Sequence, residues 1–263
     1  MSALPVQLEP SFVEKVWGST KLAPWFADSD QKIGEVWFPA EEILVKFIFT
    51  TEKLSVQVHP PGKTEMWHIL QAEPGASIAL GFKDTTTEEQ VRLAALSGDI
   101  EQMLEWVPVS VGDSFLNPVG TVHALGAGMV VCEIQQNFPV TYRLYDYGRP
   151  RELHLEQALK VARCGSHPGK TMPLDLPGGG RQLIDCEYFA AEEFTYGAPL
   201  EYQPAPNRYH LLIMLEGTGE IAEQPFGPGQ LWRVPEGGDS FVIRPEQTVR
   251  LLRTYVPGPP PVH

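Results

Sequence analysis

In the stretch LSVQVHPPGKTEMWHIL, residues 54 to 70, Gln57 and His59 stand two apart, and so do Lys63 and Glu65. Alternate residues of a β-strand share a face. Each pair therefore projects to one side of its strand, with Val56 and Val58 behind the first pair and Trp67 in line with the second. If Pro60, Pro61 and Gly62 make a tight hairpin connection, the two pairs meet at one end of it. His123, in a GTVHA turn after short apolar runs punctuated by Gly and Pro, is the natural third contributor. One Gln, two His and one Glu form a mixed nitrogen and oxygen donor set that suits zinc or another divalent first-row metal. Taken singly, His59 or Glu65 reads as an ordinary hydrogen-bonded or solvated residue; the joint spacing QxH, KxE and GTxHA favours a metal centre. His68, on the face opposite Glu65, and His154, His167, His210 and His263 are read as ordinary histidines.

Further along, CEIQQNFPVTYRLYDYGR places Glu133 on a strand and Arg143 ten residues later among aromatics. Arg143 has two readings of equal standing. It can cap or stack on Tyr142 and Tyr145, or it can bind an oxyanion and stabilise developing negative charge beside a metal. The tripeptide GKT occurs at Gly62 and Gly169, but a phosphate loop needs another Gly five residues earlier, where Gln57 and Cys164 stand. No GxGxxG follows a strand either, so nucleotide binding has little support.

The elements that must carry these residues are mostly strands. EILVKFIFTTEKLSVQVHP reads as two strands around a TTEK turn, and TEMWHIL and ASIALGF as two more joined by QAEPG. From Thr86 the pattern becomes helical: Thr87 and Gln90 fit a capping box, and the helix is interrupted at Ser97 and Gly98. RELHLEQALKVAR, from Arg151, is a short amphipathic helix leading into a Pro- and Gly-rich linker. The expected organisation is a metal-binding catalytic domain over 1–164 with a helical insertion near 86–106, a linker over 165–181, and a second domain over 182–263. An internal repeat supports two related β units: Gly112, Pro118 and Gly120 are spaced like Gly229, Pro235 and Gly237, with His123 falling opposite Ser240.

Composition bounds the function. The 263 residues carry a net charge of −13 with no basic run, which argues against nucleic-acid binding. The three cysteines, Cys132, Cys164 and Cys186, lack CxxC spacing and are expected to be free thiols. Neither a signal-peptide pattern nor an apolar run of membrane-spanning length occurs, so a cytoplasmic location without membrane partners is expected. An anionic ligand would have to be held by a local cluster of basic residues.

The motifs LSVQVHP, GKTEMW, GTVHAL, EIQQ, TYRLYDYGR and RELHL, in this order, resemble those of the cupin-type mannose-6-phosphate isomerases, particularly the short bacterial forms. KVWGSTKL and IGEVW look like altered versions of further family motifs. The connection through Pro61 and Gly62 and the YDYGRPRELHL segment are both shorter than the family pattern. The resemblance implies a mainly β bicupin, two jelly-roll-like barrels of which the second is degenerate. It also implies interconversion of mannose 6-phosphate and fructose 6-phosphate through an enediol, with one zinc ion per chain. Gln57, His59, Glu65 and His123 would hold the metal, Arg143 would be the active-site arginine, and Lys63 and Glu133 would line the same pocket. Lys63, Arg143 and Arg149 are the candidates for holding the sugar phosphate. A non-catalytic cupin binding a sugar or sugar phosphate, or an isomerase of altered sugar specificity, remains the alternative; the sequence leaves the oligomeric state open.

Overall fold

The computed structural model describes residues 3–258, so His263 lies outside the described residues. Two compact units emerge. One takes Phe12–Ser19 and Gln31–Thr171; the other takes the remaining described residues, Thr20–Asp30 and everything from Met172 included. The break after Thr171 falls inside the expected linker, but two N-terminal stretches expected in the first domain belong with the second. The cause is pairing with residues far along the chain. Val6–Leu8 forms an edge strand on Leu231–Val234, and the Trp25 indole Nε1 donates to the Leu215 carbonyl at 3.1 Å.

The larger unit is built from two antiparallel sheets. The six-stranded one runs in the order Ser11–Ser19, Ile33–Ala40, Ile43–Thr50, Met129–Gln136, Glu65–Ala72 and Ser114–Asn117. The five-stranded one runs Tyr142–Tyr145, Val56–Val58, His123–Leu125, Ser77–Phe82 and Leu104–Pro108. Side chains from both sheets, among them Ile48, Trp67, Ile69, Ile78, Leu80 and Leu125, share one buried core, so the sheets pack face to face. On the outer face of the five-stranded sheet, Val56, Val58, Ala124 and Leu144 pack against the helices Glu88–Ser97 and Leu155–Val161. Helix Glu88–Ser97 begins at the expected capping box: the Gln90 backbone N–H donates to Thr87 Oγ1, and Gln90 Oε1 accepts from the Thr87 N–H at 2.9 Å. It stops at Gly98, whose φ of +89° is the left-handed cap that glycine adopts most easily. A further turn of helix, Ile100–Met103, follows the interruption.

Strands Val56–Val58 and Glu65–Ala72 do not form a hairpin; they belong to different sheets. Pro60 and Pro61 have no N–H to give to a ladder, and Gly62 turns with φ +100°. The connection therefore carries the chain from one sheet to the facing one. Residues flanking it meet across the interior of the unit instead of along a hairpin edge.

The smaller unit has a seven-stranded and a four-stranded antiparallel sheet, with Leu212, Met214, Ile221, Phe241 and Leu251 in its core. The repeat seen in the sequence corresponds to a shared backbone pattern. Gly112 N–H donates to Ile69 O while Ile69 N–H donates to Asp113 O; likewise Gly229 N–H donates to Met214 O while Met214 N–H donates to Gln230 O. Both glycines have positive φ, +89° and +83°. In the strand pairs that follow, Glu65 lies opposite Asn117 and His210 opposite Val234. His210 thus holds the place of Glu65. It bonds the Tyr202 hydroxyl at 2.6 Å, and burial pushes its pKa down to about 4. Among the described residues, no helix is long and apolar enough to cross a membrane.

Candidate metal centre and active site

Strand Val56–Val58 buries its two valines on the helix side, which turns Gln57 to the opposite face. His123 is paired directly opposite Gln57 in the neighbouring strand. His59 follows the valines, and Glu65 opens the strand of the facing sheet. The two sheets thereby deliver four donors to one point. His59 Nε2 lies 3.1 Å from Glu65 Oε2, His123 Nε2 lies 3.4 Å from Glu65 Oε1, and Gln57 Nε2 lies 3.2 Å from His123 Nε2. Ligands at the usual bond lengths of about 2.0–2.1 Å around a tetrahedral zinc stand about 3.3 Å apart, close to these three separations.

The surroundings of the donors fit a cation. His59 and His123 are buried, which pushes the first to about 4 and lowers the second, so both are neutral ligands at pH 7. His123 Nδ1 lies 2.9 Å from the Thr121 carbonyl, a partner that fixes the proton there and leaves Nε2 as an acceptor. Both ring nitrogens of His59 are buried without a hydrogen bond of good geometry. Burial opposes ionisation of Glu65, but the nearby Lys63 charge favours it, and Asn117 Nδ2 donates to Oε1 at 2.7 Å. Gln57 Oε1 accepts from Ser55 Oγ at 3.1 Å; with the amide turned over, Oε1 faces His123 and the NH2 group donates to Ser55. Gln57, His59, Glu65 and His123 therefore fit a divalent metal.

A cavity of about 540 Å³ opens over these donors. Strand alternation decides its walls: Glu35, Trp37 and Pro39 from one strand, Leu44, Lys46 and Ile48 from the next, Glu133 and Gln135 from the third. Lys15, Lys46, Lys63, Arg143 and Arg151 line it against Glu35, Glu65 and Glu133, a basic excess in an acidic protein. Such a site focuses anions. Lys63 is buried and donates to Thr141 Oγ1 at 3.0 Å; burial and the nearby Lys46 charge lower its pKa.

Glu133 is held on both oxygens, by Lys46 Nζ at 2.7 Å and by Trp67 Nε1 at 2.9 Å. Lys46 also donates to Gln135 Oε1 at 2.6 Å. Burial opposes the charge of Lys46, but Glu133, Glu35 and Glu65 together more than offset this and raise its pKa. Lys46→Met removes the counterion of a buried carboxylate and is expected to cost about 3–5 kcal/mol of stability, read by denaturant unfolding of the metal-free protein; an unchanged midpoint would show that Trp67 alone satisfies Glu133.

Arg143 pairs opposite Gln57 in the sheet. Its Nη1 donates to the Glu152 carbonyl at 2.7 Å, and its Nε is buried without a hydrogen-bond partner beside the cavity. Burial, then the neighbouring Arg151 charge, lowers its pKa. Arg149, expected at the sugar phosphate, is not brought to the cavity: it bonds Glu52, Asp146 and the Lys53 carbonyl and stacks on Tyr147. Arg151 lines the cavity instead. The sequence reading also missed Lys46, whose signal was available, since a lone Lys in the apolar run EILVKFIFT must find a buried partner. His68 bonds Ser114 Oγ at 2.9 Å on the opposite face, as an ordinary histidine would.

No family model matches the chain. The mannose-6-phosphate isomerase ManA of Bacillus subtilis is 30% identical over 309 residues, an alignment covering 92% of this chain and 96% of that protein. The crystal structure of the mannose 6-phosphate isomerase from Bacillus subtilis superposes with a TM-score of 0.86 at 24% identity, over 95% of this chain and 99% of that one. A zinc-bound mannose 6-phosphate isomerase has the same fold, with a TM-score of 0.74 at 14% identity over 97% of this chain and 100% of that one. Thirty per cent identity sustained along nearly the whole of both chains, over strands that bring a QxH, a KxE and a GTxHA element together, makes this chain a member of the mannose-6-phosphate isomerase family.

Proposed function

We propose that the cavity of the larger unit interconverts mannose 6-phosphate and fructose 6-phosphate, with one zinc ion per chain held by Gln57, His59, Glu65 and His123. The observation that carries this reading is the buried His59, Glu65 and His123 cluster, with Gln57 beside it, on the floor of a cation-rich cavity. The relatives named mannose-6-phosphate isomerase and the zinc-bound neighbour support it. Aldose–ketose isomerisation through an enediol requires a proton to move between C1 and C2 and the enediolate oxygens to be stabilised. Zinc bound there supplies Lewis-acid polarisation of the sugar oxygens.

The chain's own residues do the rest. Glu133, oriented by Lys46 and Trp67, and Lys63, oriented by Thr141, are the groups assigned to holding and moving the proton. Arg143 donates to the charge that develops on the sugar oxygens. Trp37, Leu44, Phe138 and Pro139 give the cavity apolar walls that limit water. We read the two units as a bicupin: a catalytic barrel, and a degenerate one in which His210 replaces the carboxylate ligand. A cytoplasmic enzyme with a small sugar phosphate as its partner accords with the composition.

The test is direct. Mannose 6-phosphate given to the zinc-loaded chain is expected to yield fructose 6-phosphate, with the activity lost on chelation and restored by zinc. No turnover at full zinc occupancy would overturn the reading.

A further inference from the structure

The segment after strand Tyr142–Tyr145 folds back on itself within a few residues. Tyr147 and Gly148 both have positive φ, 54° and 76°, and the Arg149 N–H donates to the Asp146 carbonyl at 3.0 Å, so residues 146–149 form a type I′ turn. Pro150 and an Arg151 N–H to Arg149 O bond of 2.8 Å complete the reversal. The shortened segment thus returns Arg151 to the strand it left. There the Asp146 carboxylate, only 2% exposed, accepts from Arg151 Nε at 2.5 Å and from Nη2 at 2.6 Å. Arg149 adds a third bond at 3.2 Å.

This bidentate pair uses one edge of the guanidinium. Nη1 of Arg151 makes no hydrogen bond among the described residues, and the side chain, 30% exposed, lines the same cavity as Arg143. Arg143 in turn keeps a buried Nε without a partner. Two guanidinium groups therefore line one cavity wall close enough for the Arg151 charge to act on Arg143, with a single buried carboxylate between Arg151 and Arg149. Placing like charges so close is costly unless an anion completes the set.

We propose that Arg151 binds the phosphate of the substrate together with Arg143, and that Asp146 is the positioning residue that fixes Arg151 for this role. The inference rests on the sugar-phosphate reading given above. It assigns the phosphate to a clamp built by the tight turn. Arg149 takes no part in it, because its donors go to Glu52, Asp146 and Lys53.

The experiment combines steady-state kinetics on mannose 6-phosphate with calorimetric binding of inorganic phosphate, on the zinc-loaded full chain and its R151A, R151K and D146N variants. Loss of a charge-assisted pair corresponds to about a 10- to 100-fold change. R151A is expected to raise KM and the phosphate Kd by that factor, with kcat falling much less than KM rises. R151K recovers only part of this, since a lysine cannot grip Asp146 and phosphate with two forks. D146N gives a smaller rise in KM, because Arg151 is kept but no longer aimed; a structural defect alone would lower zinc content or melting temperature without this dependence on phosphate. Should R151A fail to fold, R151K and D146N carry the same expectation. Isomerisation with unchanged KM and phosphate affinity in the folded variants would overturn the clamp and leave the reaction standing. Phosphate binding that depends on Arg151 in a chain that does not isomerise mannose 6-phosphate would retire the reaction and keep the clamp.

Discussion

Glu65→Gln is expected to empty the metal centre and to cut turnover of mannose 6-phosphate by about 10³-fold or more, since Lewis-acid stabilisation is worth several kcal/mol and each 1.4 kcal/mol is tenfold in rate. The substitution keeps size and shape, and glutamine can still accept the hydrogen bond that Asn117 gives to Oε1. What it removes is the only negative charge in a donor set whose other members, Gln57, His59 and His123, are neutral. Losing an outer partner of a ligand typically costs about 10- to 100-fold in metal affinity; losing the sole anionic ligand should cost more. Metal content after dialysis, measured beside activity, checks this. A glutamine variant that keeps one zinc per chain and wild-type turnover would remove Glu65 from the ligand set.

How much of this site was legible depends on whether a residue's direction follows from local periodicity. Gln57 and His59 could be placed because Val56 and Val58 between and before them must face a core, and the period of a strand leaves no other choice. The capping box at Thr87 and the stop at Gly98 were readable for the same reason: each is completed within a few residues. The hairpin expected around Pro60, Pro61 and Gly62 failed because a short connection is equally compatible with a step between facing sheets. That choice is made by pairing partners far along the chain, His123 for one strand and Met129–Gln136 for the other.

Arg149 and Arg151 show the limit more sharply. They flank Pro150, carry the same charge and sit in the same motif, so nothing in composition or spacing tells which one reaches the cavity. The turn at Tyr147 decides it, and a tyrosine with φ +54° is a conformation that no sequence rule favours. The N-terminal stretches went astray for a related reason: Val6–Leu8 and Trp25 owe their place to partners more than 180 residues away, Leu231–Val234 and Leu215. Lys46 is the instructive omission. Its position in an apolar run announced a buried charge, but nothing local says which carboxylate answers it: Glu42 is four residues away in the sequence, whereas Glu133, 87 residues away, is the one bonded to it at 2.7 Å.

Arg143→Ala separates the two roles that the sequence left equal for this residue. The backbone of Arg143 is held by the sheet opposite Gln57 and by exchange with His154, whose N–H donates to Arg143 O at 2.7 Å. None of these contacts uses the guanidinium. Truncation therefore leaves Gln57 and the metal donors in place, at the cost of one bond to the Glu152 carbonyl. Zinc content is expected to match the wild type while turnover falls by about 10²- to 10³-fold, the loss typical of removing one donor aimed at developing charge. Unlike the loss from Arg151, this fall should appear mainly in kcat, because Arg143 is assigned to the charge that develops on the sugar oxygens as well as to the phosphate. Arg143→Lys should not restore it, since an ammonium cannot reproduce the planar fork. If the alanine variant instead lost its zinc, Arg143 would be a strut for the ligand-bearing strand, and the charge-stabilising role would pass to Lys46 or Lys63, two further cations that line the cavity.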